Sequence, residues 1–386
     1  MIIVGNRDLR NVLKKLKLVN MLKIKVSCNG YPSTTIKDEQ GFTSISKFLP
    51  QGKNIWKGCQ FFVNEDVKDP DYWIVIDDIG KDKEFANIRK DRVFFCTDEV
   101  PFVTFYFDDT KFLDQFYKVI SPHPVYNHNN VESALSLTPI TINTVYGESL
   151  FKYDPVYNYD NMIAQDRVEK TKTLSIIASS KGAQGNNMTD FHKIRYHFAQ
   201  RLKEHFKDKI DLYGYGYNEI KNRADAIVPY KYHVCLENQS TYNIITEKLY
   251  ASYLALSYPI YWGAPNITDF FPKESITSMN ILDFKGSVQA IEKVLEEDPY
   301  DDSLPFLVKA KNDVLNKYST FQRISTICED DNKARGQNDI ARSEVVVQSR
   351  DSFIVKESKR KKKIKNIMKY SFPSIVAYEV VRQLFF

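Results

Sequence analysis

Cysteine is scarce and scattered in this chain of 386 residues. The five cysteines stand at positions 28, 59, 96, 235 and 328, and no two of them form a Cys-x-x-Cys pair. An odd number of widely separated cysteines argues against a disulfide framework and against a structural zinc site. We therefore expect the protein to work in a reducing compartment.

Long apolar runs are also lacking. Charged residues interrupt every apolar stretch of residues 1–20, so no secretory signal is predicted there. No segment approaches the roughly 20 consecutive apolar residues of a membrane-spanning helix. We expect a cytoplasmic protein, or one bound to the inner face of a membrane, that starts at Met1 or at Met21.

The basic charge is confined to one end of the chain. The formal net charge is +5, but residues 356–386 alone contribute +7, so the remainder carries −2. Within this segment Ile364, Ile367 and Met368 fall on one helical face, opposite the lysines, as in interfacial helices attracted to anionic lipid. A solvated charge run in a disordered end is the alternative. Such local basicity argues against nucleic acid as a partner.

The apolar pattern predicts two α/β domains. Strands are expected at residues 22–27, 73–76, 92–96 and 117–120, and, after a polar linker at 160–172, at 174–178, 210–213, 233–236, 260–262 and 279–282. Helices are expected over 189–206, 250–256, 288–295 and 303–318. This alternation is typical of parallel, doubly wound sheets. The predicted units are an α/β domain at 1–165, a second at 166–335 and a basic tail at 336–386.

Polar side chains gather after the strand at 233–236. Glu237-Asn238 ends this apolar run, and Thr246-Glu247-Lys248 opens the helix that follows. Ligands of open α/β sheets bind at the carboxyl ends of the strands. A carboxylate suits a ribose diol and an ammonium suits a diphosphate, so this pair fits a nucleoside diphosphate. The alternative is an ordinary Glu and Lys in a first helical turn.

A second cluster of positive charge precedes it. Residues 179–187 form a Gly- and Ser-rich loop that fits neither the Walker A sequence nor GxGxxG, with Lys181, His192 and Arg195 in or after it. Helix N-termini and arginine forks both bind phosphate. The alternative is that His192 and Arg195 are solvated residues of a surface helix.

The segment from Tyr230 to Phe284 resembles the donor-site signature of the family 10 glycosyltransferases, the α-1,3/4-fucosyltransferases. Tyr-Lys-Tyr at 230–232, Glu-Asn at 237–238, Thr-Glu-Lys at 246–248, Pro-Ile-Tyr-Trp-Gly at 259–263 and Phe-Pro at 271–272 follow that order and spacing. The strong resemblance covers about residues 172–285. It implies a GT-B fold, in which two Rossmann-like domains face each other across a cleft and the C-terminal one binds GDP-fucose.

The resemblance also implies residue roles. Arg195 and Lys248 would neutralise the departing diphosphate, Glu247 would hold the ribose, and Asn238 would position the donor. The complete donor-binding set expected is Arg195, Glu237, Asn238, Tyr242, Thr246, Glu247 and Lys248. No Asp-x-Asp motif stands at a plausible position, and cationic side chains can replace a metal in this family. We therefore expect no required metal or cofactor, with a divalent ion at most stimulatory.

One position departs from the family pattern. Many members have Tyr directly before the [Ile/Val]-Thr-Glu-Lys sequence, where this chain has Ile244, with Tyr242 two residues earlier. This substitution leaves a different contact to the donor as an alternative. A different nucleotide sugar bound by the same fold stays open as an alternative.

The expected catalytic base is a carboxylate in the first domain, because attack by a hydroxyl requires a proton acceptor. The family has Arg-Val-Phe-x-Thr-Gly-Glu-Asn-x-x-Pro where this chain has residues 92–101. Without a gap the family's Glu falls on Asp98, and by residue type it falls on Glu99, which we favour. His123 and His128 are secondary candidates. Asp77-Asp78 and Asp108-Asp109 are expected to be turn and surface acids.

The sequence thus predicts an inverting α-1,3-fucosyltransferase acting on an N-acetylglucosamine-containing glycan. The absence of an N-terminal anchor and the basic tail resemble bacterial members that build surface polysaccharide at the cytoplasmic face. The alternative from another class is a non-catalytic nucleotide- or glycan-binding protein.

Overall fold

Two parallel β-sheets carry the fold. The computed structural model describes residues 21–28, 48–97, 110–122, 128–135, 137, 157–179, 190–220, 222–335 and 340–353. Within these ranges, no helix combines the length and the apolar character that crossing a membrane requires.

The first sheet is built from the N-terminal half of the chain. Its strands are β1 Leu22–Cys28, β2 Ile55–Trp56, β3 Cys59–Val63, β4 Tyr72–Ile76, β6 Val93–Cys96, β7 Lys118–Ser121 and β8 Val131–Ser133. Their order is β2-β3-β1-β4-β6-β7-β8, and every pairing except β2 with β3 is parallel. β5, Lys83–Ile88, pairs instead with β14, Ser343–Gln348, as an antiparallel ribbon.

Both faces of the first sheet are covered, and this explains its apolar central strand. Tyr72, Ile74 and Ile76 of β4 pack into one cluster, whereas Trp73 and Val75 pack into another. All five are buried. A strand covered on both sides reads as a continuous apolar run rather than an alternating one.

The second sheet is wholly parallel. It contains β9 Lys172–Ile177, β10 Asp211–Tyr213, β11 Tyr230–Leu236, β12 Tyr258–Trp262 and β13 Thr277–Ser278, in the order β10-β9-β11-β12-β13. The helices described along the chain are α1 Thr110–Leu113, α2 Tyr159–Ala164, α3 Asp190–Phe206, α4 Glu247–Leu254, α5 Phe284–Glu297, α6 Tyr300–Asn316 and α7 Thr320–Arg335. The predicted α/β fold is confirmed, with two sheets that are parallel except for the pairing of β2 with β3.

Each sheet reverses its direction of growth at one place. In the first sheet β1 lies between β3 and β4, and in the second β9 lies between β10 and β11. Connections leave opposite faces on the two sides of such a point and open a crevice at the carboxyl ends of the strands. The fold therefore favours a ligand site beyond the ends of β9 and β11.

Helix α7 returns the chain to the first sheet. Phe321, Ile324 and Cys328 are buried in the cluster that contains Tyr72 and Ile74. The Asp331 carboxylate accepts hydrogen bonds from the Tyr72 hydroxyl at 3.0 Å and from Arg92 at 3.2 Å. The predicted boundary at residue 335 stays a prediction, but the last helix before it packs on the first sheet.

Each predicted strand or helix overlaps an observed element, with one exception, and several observed elements, among them β5, β14 and α7, were not predicted. The strand expected at 279–282 is wrong, because β13 lies at Thr277–Ser278 and a turn follows it. In that turn the Asn280 side chain accepts from the Leu282 amide at 3.1 Å, and Asp283 caps α5. Polar side chains here satisfy backbone groups locally instead of leaving them to a strand pairing.

Candidate active site

The end of β11 holds the following loop through a buried acid. The Glu237 carboxylate has no exposed surface and accepts from the Thr246 amide at 2.8 Å and from the Thr246 hydroxyl at 2.5 Å. Burial raises the pKa of Glu237, while the charge of Lys248 and the Thr246 hydrogen bonds act in the opposite direction. Glu237 therefore supports the loop from beneath, and its two oxygens are directed at Thr246 rather than at solvent.

A second loop packs against the first and requires a glycine. A Cβ atom on Gly263 would lie 2.1 Å from the Tyr261 hydroxyl and 2.5 Å from Cγ of Glu237. The Gly263 carbonyl accepts from Ser240 at 2.9 Å. The loop after β12 thus approaches the β11 loop more closely than any side chain would allow.

Helix α4 begins at the resulting junction. Thr246 is its N-cap, and the threonine hydroxyl accepts from the Lys248 amide at 3.4 Å. The Lys248 ammonium lies 3.1 Å from Oε1 of Glu247 and 3.7 Å from Oε2 of Glu237. One lysine is therefore shared by two carboxylates at the carboxyl end of β11.

The carboxylate of Glu247 is held as an anion. Burial alone raises its pKa, but the charges of Lys248 and Arg223, with hydrogen bonds from Lys248 and Thr246, outweigh burial and lower it to about 2. The two neighbouring acids are thus shifted in opposite directions. Glu247 is the more exposed of the two, with a side chain that is 24% accessible, whereas that of Glu237 is fully buried.

Helix α3 contributes the remaining positive charge. Arg195 donates a hydrogen bond from Nη1 to Oδ1 of Asn238, which ties α3 to the residue after β11. Burial lowers the pKa of His192, and the charges of Arg195 and Lys248 lower it further. The charges of Arg195 and Lys248 therefore act together on His192.

One aromatic and one aliphatic residue of the loop between β11 and α4 differ in their solvent exposure. Tyr242 is 65% exposed, whereas Ile244 is 2% exposed and belongs to the core. The family's tyrosine position is thus occupied here by a buried aliphatic residue, and the exposed ring stands two residues before it.

The structure brings together most of the predicted donor residues. Asn238, Thr246, Glu247, Lys248 and Arg195 lie at one edge, Tyr242 lies in the same loop, and Glu237 lies beneath them. Which of them touch a donor stays a prediction. Lys181 lies outside the described residues.

The predicted base lies beyond what is described. Asp98, Glu99, His123 and Asp108-Asp109 all fall outside the described residues. The preceding Thr97 donates to Asp77 at 2.6 Å, and Asp78 accepts from the Ile79 amide at 2.8 Å.

His128 is engaged by the backbone at both ring nitrogens. Nδ1 accepts from the Asn130 amide at 3.1 Å, and Nε2 lies 3.1 Å from the Phe116 carbonyl, to which it would donate. This arrangement favours a structural role for the imidazole over that of a base.

The sequence reasoning missed Arg223. This arginine lies in a 3-10 turn before β11, and Nη2 is 3.3 Å from Oε1 of Glu247, 24 residues later. Nothing in the local pattern signals the contact, because the partners meet only when the helix after β11 folds back. The only hint is a basic residue at the start of the mostly apolar stretch RADAIVPY.

Metal coordination finds no support among the described residues. They contain no group of three or more His, Cys, Asp or Glu side chains placed to hold an ion. The charges able to face a phosphate here belong to arginine and lysine.

Known proteins match the region that contains this site. Residues 167–304 match the family model described as "Glycosyltransferase family 10 (fucosyltransferase) C-term". The Alpha-(1,3)-fucosyltransferase FucT of Helicobacter pylori is 39% identical over 80 residues, which are 20% of this chain and 16% of that protein. The Alpha-(1,4)-fucosyltransferase of Arabidopsis thaliana is 34% identical over 74 residues, 19% of this chain and 18% of that protein. The matched stretches span less than a fifth of either relative.

Solved structures show a more distant likeness. A crystal structure of an alpha1,3-fucosyltransferase with GDP-fucose is similar at a TM-score of 0.37 and 19% identity, over 75% of this chain and 81% of that chain. One with GDP is similar at a TM-score of 0.39 and 16% identity, over 75% and 82%. The sequence matches confirm the family resemblance predicted for this part of the chain.

Proposed function

We infer that this chain is an inverting glycosyltransferase, because its residues 167–304 match the family model of the family 10 glycosyltransferases. Its proposed donor is GDP-fucose, and its proposed acceptor is a hydroxyl of an N-acetylglucosamine-containing glycan, in α-1,3 linkage. The two matched relatives are an α-1,3- and an α-1,4-fucosyltransferase. Both names support fucose as the sugar transferred.

The observation that carries this proposal is the charge arrangement at the start of α4. Glu247 is anionic beside Lys248, and Arg195 reaches the same edge through Asn238. A nucleoside diphosphate presents ribose hydroxyls and phosphate oxygens next to each other. The carboxylate would accept from the former, and the two cations would pair with the latter.

The proposed reaction is a single in-line displacement. An acceptor hydroxyl oxygen bonds to the anomeric carbon while the bond from that carbon to the β-phosphate oxygen breaks. The proton passes to the carboxylate of Glu99 or Asp98, and GDP leaves with the electron pair. Arg195, Lys248 and the amide groups of the α4 N-terminus stabilise the growing phosphate charge, because fixed charges need no reorganisation.

We further propose that no divalent ion is needed, since cationic side chains already face the proposed diphosphate. Turnover after exhaustive chelation should stay within about twofold of turnover with added Mg²⁺ or Mn²⁺. A complete loss that either ion restores would overturn this part.

A second donor is favoured by one observation. Ile244 is buried at the position where many family members have tyrosine, so the fucose contact differs or is supplied by Tyr242. A GDP-sugar other than GDP-fucose would keep the phosphate chemistry and change only the sugar contact.

The test is a donor screen with N-acetyllactosamine as acceptor, using GDP-fucose, GDP-mannose, UDP- and CMP-sugars. We expect turnover of GDP-fucose alone. Turnover of another donor would remove fucose from the proposal, whereas GDP binding without any turnover would favour the wrong acceptor or a non-catalytic binder. Lys193→Ala is a suitable control variant, because that residue is exposed on α3.

We also propose that residues 356–386 bind an anionic membrane surface from the cytoplasmic side, on the charge of +7. The full chain should sediment with phosphatidylserine-containing vesicles and not with phosphatidylcholine vesicles. Equal sedimentation with both, or with neither, would contradict an electrostatic anchor.

A further inference from the structure

Arg223 is a buried cation that the proposed chemistry does not yet use. Its side chain is 9% accessible, and it lies in the 3-10 turn Arg223–Ala226. Asn222 caps that turn by accepting from the Ala224 amide at 2.9 Å. A guanidinium cannot lose its proton to escape burial, so it requires a partner.

Its partner is Glu247, which it contacts at two points. Nη2 lies 3.3 Å from Oε1 of the carboxylate, and Nη1 lies 3.4 Å from the Glu247 backbone carbonyl. Both contacts are at the long end of the hydrogen-bond range. Together they fix the side chain and the main chain of the first residue of α4 from the protein interior.

The same carboxylate oxygen is shared with Lys248, whose ammonium lies 3.1 Å from Oε1. Lys248 is 23% accessible and can turn toward a phosphate, but Arg223 faces the interior. The two cations therefore have separable tasks. One is available to a ligand, and the other has Glu247 as its partner.

We propose that Arg223 is a positioning residue, which holds the Glu247 carboxylate so that it accepts hydrogen bonds from the vicinal ribose hydroxyls of the GDP-sugar. This inference rests on the function proposed above. It assigns Arg223 no contact with the donor, and it predicts that its loss changes recognition of the ribose rather than of the phosphates.

The titratable and charged groups near this carboxylate are Arg223 from the turn before β11, Lys248 from α4 and Glu237 from the end of β11. Arg195 and His192 of α3 lie beyond them, where the charges of Arg195 and Lys248 both act on His192. Opposed by burial, the charges of Lys248 and Arg223 lower the pKa of Glu247 to about 2. Removing Arg223 moves this pKa upward, so the variant should lose ribose recognition as pH falls toward 4, where the native protein keeps it.

The experiment compares the affinity of GDP with that of 2′,3′-dideoxy-GDP, measured by calorimetry on the full chain. In the native protein we expect GDP to bind roughly 10- to 100-fold more tightly, the range for hydrogen bonds to a charged group. Glu247→Gln should reduce this ratio to a few fold, and Arg223→Met should do the same. Both nucleotides carry the same diphosphate, so its own ionisation cancels from the ratio.

Two further variants complete the design. Arg223→Lys keeps the charge without the planar fork, and the ratio should be partly restored. Arg201→Met removes an exposed arginine that stacks on Phe284, and the ratio should stay native. If Arg223→Met does not fold, the ratio in Arg223→Lys, expected between those of the native protein and of Glu247→Gln, serves as the readout.

A native ratio in the folded Arg223 variants, even with a lower melting temperature, would overturn the inference and leave Arg223 a structural residue. If the native protein bound neither nucleotide, the proposed function would fail together with it. If the native protein binds GDP and the variants still distinguish GDP from 2′,3′-dideoxy-GDP as the native protein does, the inference about Arg223 is wrong while the proposed function stands.

Discussion

The two sheets share a strand order but differ in the chemistry at their crevices. In both, the first strand lies between the second and third parallel strands of the sheet, at β3-β1-β4 and at β10-β9-β11. Beyond the second crevice stand Arg195, Lys248 and an anionic Glu247. At the corresponding edge of the first sheet stand the carboxylates of Asp77 and Asp78, with Asp77 accepting from Thr97 at 2.6 Å.

The strand order therefore determines where a ligand site can form, whereas the side chains at that place determine its chemistry. Cations collected at one edge suit a polyanionic leaving group, whereas carboxylates at the other suit the removal of a proton. Asp77 adopts a left-handed backbone conformation with φ of 61° directly after β4. Asp is among the residues that tolerate this region, which lets the chain turn sharply at the crevice.

The largest expected effect comes from the carboxylates that follow Thr97. Asp98→Asn combined with Glu99→Gln should lower kcat by about 10²- to 10⁴-fold, because the acceptor hydroxyl loses its proton acceptor. GDP affinity should stay within about twofold, since the residues proposed to bind the donor belong to the other sheet. His128→Gln is the comparison, because that imidazole is held by the backbone.

Single replacements then separate the two acids. A loss concentrated in Glu99→Gln supports the assignment by residue type, and one in Asp98→Asn supports the ungapped assignment. Loss of GDP binding in the double variant would contradict the proposal that the first sheet supplies the base and the second sheet binds the donor.

Next in size is the attachment of α7 to the first sheet. Asp331 is 3% accessible and pairs with Arg92 at 3.2 Å and with Arg335 at 2.7 Å. Asp331→Asn leaves a buried guanidinium poorly paired, which should lower the free energy of unfolding by about 3–5 kcal/mol. Urea unfolding measures the loss, and GDP affinity at low urea should be unaffected.

The neighbouring Asp330 provides a matched control. Its side chain is 66% exposed and lies 3.6 Å from Lys333, so Asp330→Asn should change stability by less than about 1 kcal/mol. Equal losses in both variants would mean that the buried ion cluster does not hold the helix in place.

Sequence patterns could predict the strands whose residues are all buried. β4 and β12 are buried at all five positions, so each reads as one apolar run. β5 alternates exposed and buried residues over six positions, and its partner β14 lies some 255 residues away in the chain. β5 and β14 are strands because they pair with each other over this distance. Their local sequence patterns do not indicate strands, so the sequence analysis did not predict them.

The same limit applies to α7 and to the candidate site. The sequence of α7 is mostly polar, and its core contact depends on Phe321, Ile324 and Cys328 meeting the first sheet. Glu247 and Lys248 were found because they stand beside each other at a strand-loop-helix junction. Arg223 was not, because its partner is determined by how β11 and α4 fold back on its turn.

Replacement of Lys248 tests the role of the positive charge at the edge of the second sheet. Lys248→Met should lower kcat by about 10²- to 10³-fold, as expected for removing one group that stabilises transition-state charge. Lys248→Arg should recover part of the loss, since a guanidinium also pairs with phosphate. Steady-state kinetics with GDP-fucose provides the readout, and Lys193→Ala on α3 should be native.

A loss confined to KM, with kcat intact, would contradict this prediction. It would place Lys248 in ground-state binding of the donor and leave the departing diphosphate to Arg195.

The smallest effect concerns the close approach of the two loops at the donor edge. In Gly263→Ala the new methyl group would meet the Tyr261 hydroxyl at 2.1 Å and Cγ of Glu237 at 2.5 Å. Relief of this overlap should cost about 1–3 kcal/mol of unfolding free energy. Because Glu237 holds Thr246, GDP affinity should fall as well.

Gly58→Ala is the matched control, since its Cβ would meet nothing closer than 3.8 Å. Calorimetric melting and GDP titration compare the two variants. Lower stability with native GDP affinity would show that the anchoring of Thr246 by Glu237 does not control the donor edge.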